Sequence, residues 1–187
     1  MTTVPGDTLV VNVAGLLGEA PGSHRDVAVD VAELELGDDL VQAAPVAVLA
    51  RIARTNRGVI VTGSVRTGLA DTCGRCLAPL RIPIDAPIEE EVLPLIDLQS
   101  GLRLDTTAEP EVFRLSDHHE LDLEPLAREA IQLAAPIAPV CRPDCPGLCY
   151  ECGLDLNAGP HDHGDAPGDP RLAMLRELRI DDEGETG

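Results

Sequence analysis

The chain has 187 residues, a formal net charge of −19 and only two aromatic residues, Phe113 and Tyr150. That length can bury an aliphatic core without disulfide help, while so acidic a surface repels nucleic acid and anionic membranes over most of its extent. The opening MTTVPGDTLV has no basic start and no long apolar run, so neither an export signal nor a membrane-spanning helix is expected, and a cytoplasmic, reducing setting is.

In chain order, Leu9–Val13 reads as a short strand. In residues 27–36, Val27, Val29 and Val31 alternate before the parity changes at Leu34 and Leu36, which predicts a strand that is bulged or ends near Ala32. Residues 45–70 carry the clearest β pattern. Val46, Val48, Ala50 and Ile52 alternate, Asn56-Arg57-Gly58 forms a turn suited to positive φ, and Val59, Val61, Val65 and Leu69 follow. This is a hairpin with one apolar face. Residues 80–96 are extended again, and Pro83 and Pro87 argue for an edge or bulged strand. A short strand is expected around Val112–Leu115. Residues 122–135 form the best helix, with Asp122 as N-cap, Pro125 in the first turn and an apolar stripe of Leu123, Leu126, Ala127, Ala130, Ile131 and Ala134. Pro136 stops it. After a stretch without periodicity, Asp169-Pro170 opens a short helix to about Arg179, with Leu172, Leu175 and Leu178 on one stripe.

All 14 basic residues are arginine, and they are unevenly placed. Arg51, Arg54, Arg57, Arg66, Arg75 and Arg81 face a single acid, Asp71, within residues 51–81. That +5 segment is the candidate nucleic-acid-binding region of an otherwise acidic chain. The competing expectation is that these arginines pair with the chain's own carboxylates.

Sulfur occurs in two places: Cys73-Gly-Arg-Cys76, and Cys141-Arg-Pro-Asp-Cys145-Pro-Gly-Leu-Cys149-Tyr-Glu-Cys152-Gly153. Without export, six cysteines are expected to stay reduced, which favours metal over disulfides. Two residues between cysteines let both thiolates face one metal across a tight turn, and a following Gly permits that turn. His161 and His163 follow nine and eleven positions after Cys152. Eight ligands fill two tetrahedral zinc sites. The preferred pairing is Cys73, Cys76, Cys141 and Cys145 for one, and Cys149, Cys152, His161 and His163 for the other. A single all-cysteine site is the rival, built from the four late cysteines or from the two Cys-x-x-Cys pairs. Neither pair opens an amphipathic helix, which disfavours a thioredoxin-like redox role. The chain has no nucleophile elbow, phosphate-binding glycine loop or His-Glu-x-x-His motif, and no enzymatic activity is expected.

The order of these motifs resembles a known family. Cys73-Gly-Arg-Cys76-Leu77 follows a hairpin. Leu121-Asp122-Leu123 opens a helix that ends in Leu133-Ala-Ala-Pro136. Next come Pro139-Val-Cys141 through Cys152-Gly153-Leu-Asp-Leu-Asn157, and then Asp169-Pro170-Arg171-Leu172. Over about residues 45–179 the pattern is similar to that of the YceD family, whose members often have cysteine where this chain has His161 and His163. The resemblance implies a non-catalytic role in accumulation of 23S rRNA and biogenesis of the large ribosomal subunit. The partner would be that RNA or a precursor particle, or alternatively a ribosomal protein or assembly factor, with no membrane and no small-molecule substrate. The expected fold is α+β, with an antiparallel sheet and covering helix over residues 1–135. A Cys/His-rich zinc segment with a short helix is expected over 136–180, and a disordered acidic tail over 181–187.

Overall fold

A computed structural model describes residues 2–3, 8–159 and 162–163. The expected helix at 169–179, the tail at 181–187 and His161 lie outside the described residues. The elements are β1 (Thr2–Thr3), β2 (Val10–Asn12), α1 (Ala14–Leu17), β3 (His24–Val31), β4 (Val41–Gln42), β5 (Val46–Arg54), β6 (Val59–Thr72), β7 (Pro79–Leu93), β8 (Phe113–Arg114), β9 (Glu120–Asp122) and α2 (Glu124–Ala134). A short 3-10 turn follows at Leu156–Ala158.

The main sheet has the order β1-β3-β5-β6-β7-β8, with β4 alongside the far end of β6. The inner strands β3, β5, β6 and β7 are antiparallel. The outer pairs β1–β3 and β7–β8 are parallel, so the sheet is mixed and not purely antiparallel as expected. Parallel neighbours need a connection of a dozen or more residues. The polar stretch between Leu93 and Phe113 provides it, bringing β8 back beside Val92 and Leu93 in the same direction.

The apolar parities read from the sequence all point to one face. Val46, Val48 and Ile52 of β5, Val59, Val61 and Val65 of β6, and Ile84, Ile88 and Val92 of β7 are buried in one cluster with Leu123, Leu126, Ala127 and Ile131. α2 packs on β7 and the adjoining part of β6, so it covers one side of the sheet's face and not all of it. The helix begins one residue later than expected. Leu123 is its N-cap, yet the Asp122 carboxylate still accepts a hydrogen bond from the Glu124 N–H at 2.9 Å. β3 ends at Val31, where the alternation breaks.

β2 and β9 form a separate antiparallel ribbon, with Val11 opposite Leu121. It ties the chain's beginning to the residues that enter α2, and the Leu123 N–H donates to the Leu9 carbonyl at 2.8 Å. β7 pairs with β6 from Pro79 to Val92 and meets β8 only at its last two residues. It is therefore an edge strand for most of its length, as Pro83 and Pro87 predict. Among the described residues, no helix is long and apolar enough to cross a membrane.

Two glycines of this hairpin are required by close approach, and Gly58 not by the positive φ expected of its turn. Gly58, in the β5–β6 turn, is absent from the residues of positive φ. It is small because a Cβ there would lie 2.3 Å from the Val92 carbonyl oxygen. The turn itself is held by the Thr55 hydroxyl, which accepts from the N–H of Gly58 at 3.0 Å and of Arg57 at 3.2 Å. Gly63, mid-strand in β6, would place a Cβ 2.0 Å from the Leu49 carbonyl oxygen, so β6 closes on β5 only with glycine there. Gly63→Ala is expected to destabilise the fold by about 1–3 kcal/mol, the usual cost of overpacking. Gly15→Ala, where a Cβ meets nothing within 4 Å, should be neutral or stabilising by at most about 1 kcal/mol. Urea unfolding midpoints of the two variants check this; equal midpoints would contradict the close approach at Gly63.

Candidate metal centre

The first Cys-x-x-Cys pair is the turn of the long β6–β7 hairpin, in which Thr72 lies opposite Pro79. The Cys73 N–H donates to the Ala78 carbonyl at 2.8 Å, and the Leu77 N–H donates to the Cys73 carbonyl at 2.9 Å. The second pair repeats the arrangement. The Cys149 N–H donates to Leu154 at 2.8 Å, and the Gly153 N–H donates to Cys149 at 2.8 Å. In both loops the residue after the second cysteine adopts positive φ, +60° at Leu77 and +75° at Gly153. The two knuckles are thus one backbone design used twice. Glycine fills the left-handed position in one and leucine in the other.

The hairpin knuckle and the C-terminal segment are joined by the backbone as well as by sulfur. The Gly74 N–H donates to the Pro139 carbonyl at 2.8 Å, and the Leu148 N–H donates to the Arg75 carbonyl at 3.1 Å. Gly147, at φ +81°, would place a Cβ 3.0 Å from that same Arg75 carbonyl oxygen. The Arg75 guanidinium donates to the carbonyls of Pro143 (3.1 Å) and Cys145 (2.9 Å).

These contacts bring Cys73, Cys76, Cys141 and Cys145 together, with all four sulfurs within 4.8 Å of one another. Cys73 Sγ lies 3.9 Å from Cys145 Sγ, and Cys76 Sγ lies 3.8 Å from Cys141 Sγ. A tetrahedron with metal–sulfur bonds of about 2.3 Å has edges of about 3.8 Å. The spacing therefore suits a shared metal ion and is far beyond the ~2.05 Å of a disulfide; none of the six cysteines forms a disulfide. Cys73, Cys76 and Cys145 are buried with Ala78, Leu80 and Leu148 around them, whereas Cys141 is exposed.

The local field separates the four thiols. Cys73 is held down to about 6, chiefly by the backbone N–H of Cys76 and next by that of Cys141. Cys145 is lowered by the Asn157 side-chain amide, whose nitrogen lies 3.6 Å from the sulfur. Cys141 is pushed up to about 12, first by its hydrogen bond with Cys145 and then by partial desolvation of a sulfur that faces the other cysteines although the residue as a whole is exposed. Adjacent thiolates repel, so Cys73 and Cys145 are lowered while Cys76 and Cys141 are raised. A divalent metal bound there would remove that conflict and could take all four as ligands.

Cys149, Cys152 and His163 form a second group, also within 4.8 Å of one another. Cys149 Sγ lies 3.2 Å from His163 Nε2. The other ring nitrogen, Nδ1, lies 3.4 Å from the Glu151 carboxylate, the outer-shell partner that commonly orients a metal-binding imidazole. Cys149 is lowered to about 7, mainly by the Cys152 backbone N–H. Among the described residues the structure thus brings together Cys73, Cys76, Cys141 and Cys145 in one cluster and Cys149, Cys152 and His163 in another, all groups of a type that zinc accepts.

Two contributors were missed from sequence. Asn157 is aimed at Cys145 by an Asx turn on Asp155, whose carboxylate accepts from the Asn157 backbone N–H at 2.9 Å. The signal was present as Asp155-Leu-Asn157, a pattern that favours such turns. Glu151, between the cysteines of the second knuckle, carried no signal of its own.

Each of the six arginines has an acceptor within the chain. Arg51 pairs with Asp26 (2.7 Å), Arg66 with Asp85 (2.9 Å), and Arg57 with Glu109. Arg54 donates to the carbonyls of Leu17 and Gly58, and Arg81 to that of Ala43. Arg75 is the latch described above.

The matched knuckles make a direct test. At the left-handed position a leucine costs about 1–2 kcal/mol that glycine does not, and Leu77 is 61% exposed. Leu77→Gly is therefore expected to leave stability within about 0.5 kcal/mol of the parent or raise it, because the strain relieved offsets the entropy that glycine adds to the unfolded chain. Gly153→Val should lower stability by at least about 1 kcal/mol. Urea unfolding under reducing conditions reads both, and a clear loss at Leu77→Gly would contradict the common backbone design.

Comparison with known proteins identifies a family and several relatives. The family described as large ribosomal RNA subunit accumulation protein YceD matches residues 61–179, a span that contains both knuckles and the segment between them. An uncharacterized protein of Mycobacterium tuberculosis is 35% identical over 175 residues, covering 91% of this chain and 81% of its own length. One from Mycobacterium leprae is 31% identical over 175 residues, covering 91% and 77%. A maize protein described as large ribosomal RNA subunit accumulation protein YCED homolog 1, chloroplastic, is 28% identical over 135 residues, 60% of this chain and 46% of its own length. No solved structure matches significantly. With nearly two thirds of its length inside the family's span, the chain belongs to the YceD family of large ribosomal RNA subunit accumulation proteins.

Proposed function

We propose that this protein is a non-catalytic, zinc-stapled factor of the cytoplasm that supports accumulation of 23S rRNA and assembly of the large ribosomal subunit. The observation that carries the process is the family match over residues 61–179. Support for a binding role comes from the thiol clusters. Four closely grouped cysteines offer a closed shell, with no position left over for substrate or an activated water, which is the character of a structural zinc site. In this reading Cys73, Cys76, Cys141 and Cys145 hold one zinc ion. Cys149, Cys152, His163 and His161 hold the second, with the His161 assignment resting on sequence spacing alone. The zinc fixes the C-terminal segment on the sheet and thereby sets the shape that a partner meets.

The partner is large-subunit RNA or its precursor particle, reached directly or through a ribosomal protein. For direct contact, Arg51, Arg57 and Arg66 are the proposed phosphate ligands, being more than half exposed. Arg54, Arg75 and Arg81 would contribute positive field from fixed positions. Contact through a protein is favoured by one specific observation: each of the six arginines already has an acceptor within the chain, so each phosphate contact must displace an internal one.

Sedimentation of cell extract tests the process. The protein is expected to travel with large-subunit precursor fractions, and its depletion should lower the ratio of 23S rRNA to small-subunit RNA. Protein confined to the top of the gradient, with an unchanged ratio after depletion, would overturn the reading.

A further inference from the structure

Where the C-terminal end of α2 approaches the 36–41 segment, two hollows adjoin, of about 520 and 340 Å³. They share Asp39, Leu40, Asp71, Ala135 and Pro136. The floor and walls are largely aliphatic: Leu36 and Ile137 in the larger hollow, Val41, Leu69 and Ile82 in the smaller. Two of these side chains are turned to solvent at an energetic cost, Val41 at 61% and Ile137 at 104% exposure. The chain therefore presents here an open apolar groove, not a closed cavity.

The charges along it are of one sign. Asp38, Asp39 and Asp71 line the groove, and among the described residues no arginine or histidine does. On the outer face of the sheet two carboxylates are matched with cations, Asp26 with Arg51 and Asp85 with Arg66. Among the described residues none of the three groove aspartates has an ion pair. An apolar trough edged by unmatched carboxylates is complementary to a segment that carries aliphatic side chains and cations together.

The groove is also fixed by the metal centre. Asp71 and Thr72 lead directly into Cys73. Pro136 and Ile137 lead into Pro139, whose carbonyl accepts from Gly74 of the knuckle at 2.8 Å. The two strands of chain that form its walls are therefore the two that the thiol cluster joins.

We infer that this groove docks a protein segment in which leucine-type residues alternate with arginine or lysine, the composition of the basic proteins that pack RNA. The inference deepens the proposed function, resting on its reading that the protein works by holding a macromolecular partner, and it assigns that contact to residues 36–41, 69–72, 82 and 135–137. The acidic surface then serves the partner's cations, and the RNA need not touch this face.

The probe is a fluorescein-labelled synthetic peptide of about fourteen residues, with leucine at every third or fourth position and arginine between. Its controls replace the arginines by glutamate or the leucines by serine. Anisotropy with the full chain under reducing conditions is expected to show binding that weakens with salt, as screening of three carboxylates requires. Both controls should bind at least about tenfold more weakly, a difference of ~1.4 kcal/mol. Ile137→Ser and the double variant Asp38→Asn/Asp39→Asn change exposed side chains, so the fold should persist, and each should weaken binding at least about fivefold. Equal binding of the serine control would reduce the effect to general electrostatics and overturn the inference. So would affinity unchanged in the groove variants. Binding seen only after removal of residues 164–187 would give the groove to the chain's own end, and concentration-dependent dimers abolished by Ile137→Ser would give it to a second copy. Either result overturns the inference while leaving co-sedimentation with large-subunit precursors intact, so its failure is separable from failure of the proposed function.

Discussion

Like charge at short range is the constraint on which this molecule turns. Four sulfurs from two distant parts of the chain lie within 4.8 Å of one another, and no backbone arrangement lets all four ionise there without a cation. The fold nevertheless spends much local structure on producing that grouping. A long hairpin ends in a knuckle, a second knuckle copies its hydrogen bonds, and Arg75 and Gly147 lock one loop against the other. The sheet and α2 have an aliphatic core that stands on its own burial. The segment after Pro136 is different: its side chains from Ile137 to Asp144 are largely exposed, so its position depends on the cluster and the few backbone bonds beside it.

That dependence explains why structure and partner recognition meet at one end of the sheet. The groove beside α2 is walled by residues that run into the knuckle on one side and into the 136–145 segment on the other. Cysteine chemistry and surface shape are therefore mechanically linked. The net charge of −19 is not spread as a uniform coat. On the sheet's outer face Asp26 and Asp85 are offset by arginines, whereas among the described residues Asp38, Asp39 and Asp71 along the groove have no ion pair.

Much of this was legible in the sequence, for identifiable reasons. Period-two alternation in β5, β6 and β7 reports burial on one face, and the prolines at 83 and 87 report an edge, because both follow from strand geometry alone. The stripe of α2 was equally plain. What escaped were the short pairings set by distant chain, namely the β2–β9 ribbon, β4 beside β6, and the parallel contact of β8. The short strands at 9–13 and 112–115 were legible, but which strand each pairs with is set by tertiary approach and not by local pattern. The cysteine spacings suggested how the ligands group. The Glu151–His163 contact and the Asn157 amide depend on three-dimensional approach and left little trace in residue order. The acceptors that the clustered arginines find within the chain, such as Asp26 for Arg51 and Asp85 for Arg66, lie on neighbouring strands and are not legible from residue order.

The central claim is that one metal ion joins the hairpin turn to the C-terminal segment through sulfur alone. X-ray absorption at the zinc edge tests it on the Cys149→Ser/Cys152→Ser variant, in which the second cluster is disabled and the first is intact. The account predicts one zinc ion per chain with four sulfur neighbours at about 2.3 Å. A shell with nitrogen or oxygen in place of sulfur, or a variant that purifies without metal, would contradict it.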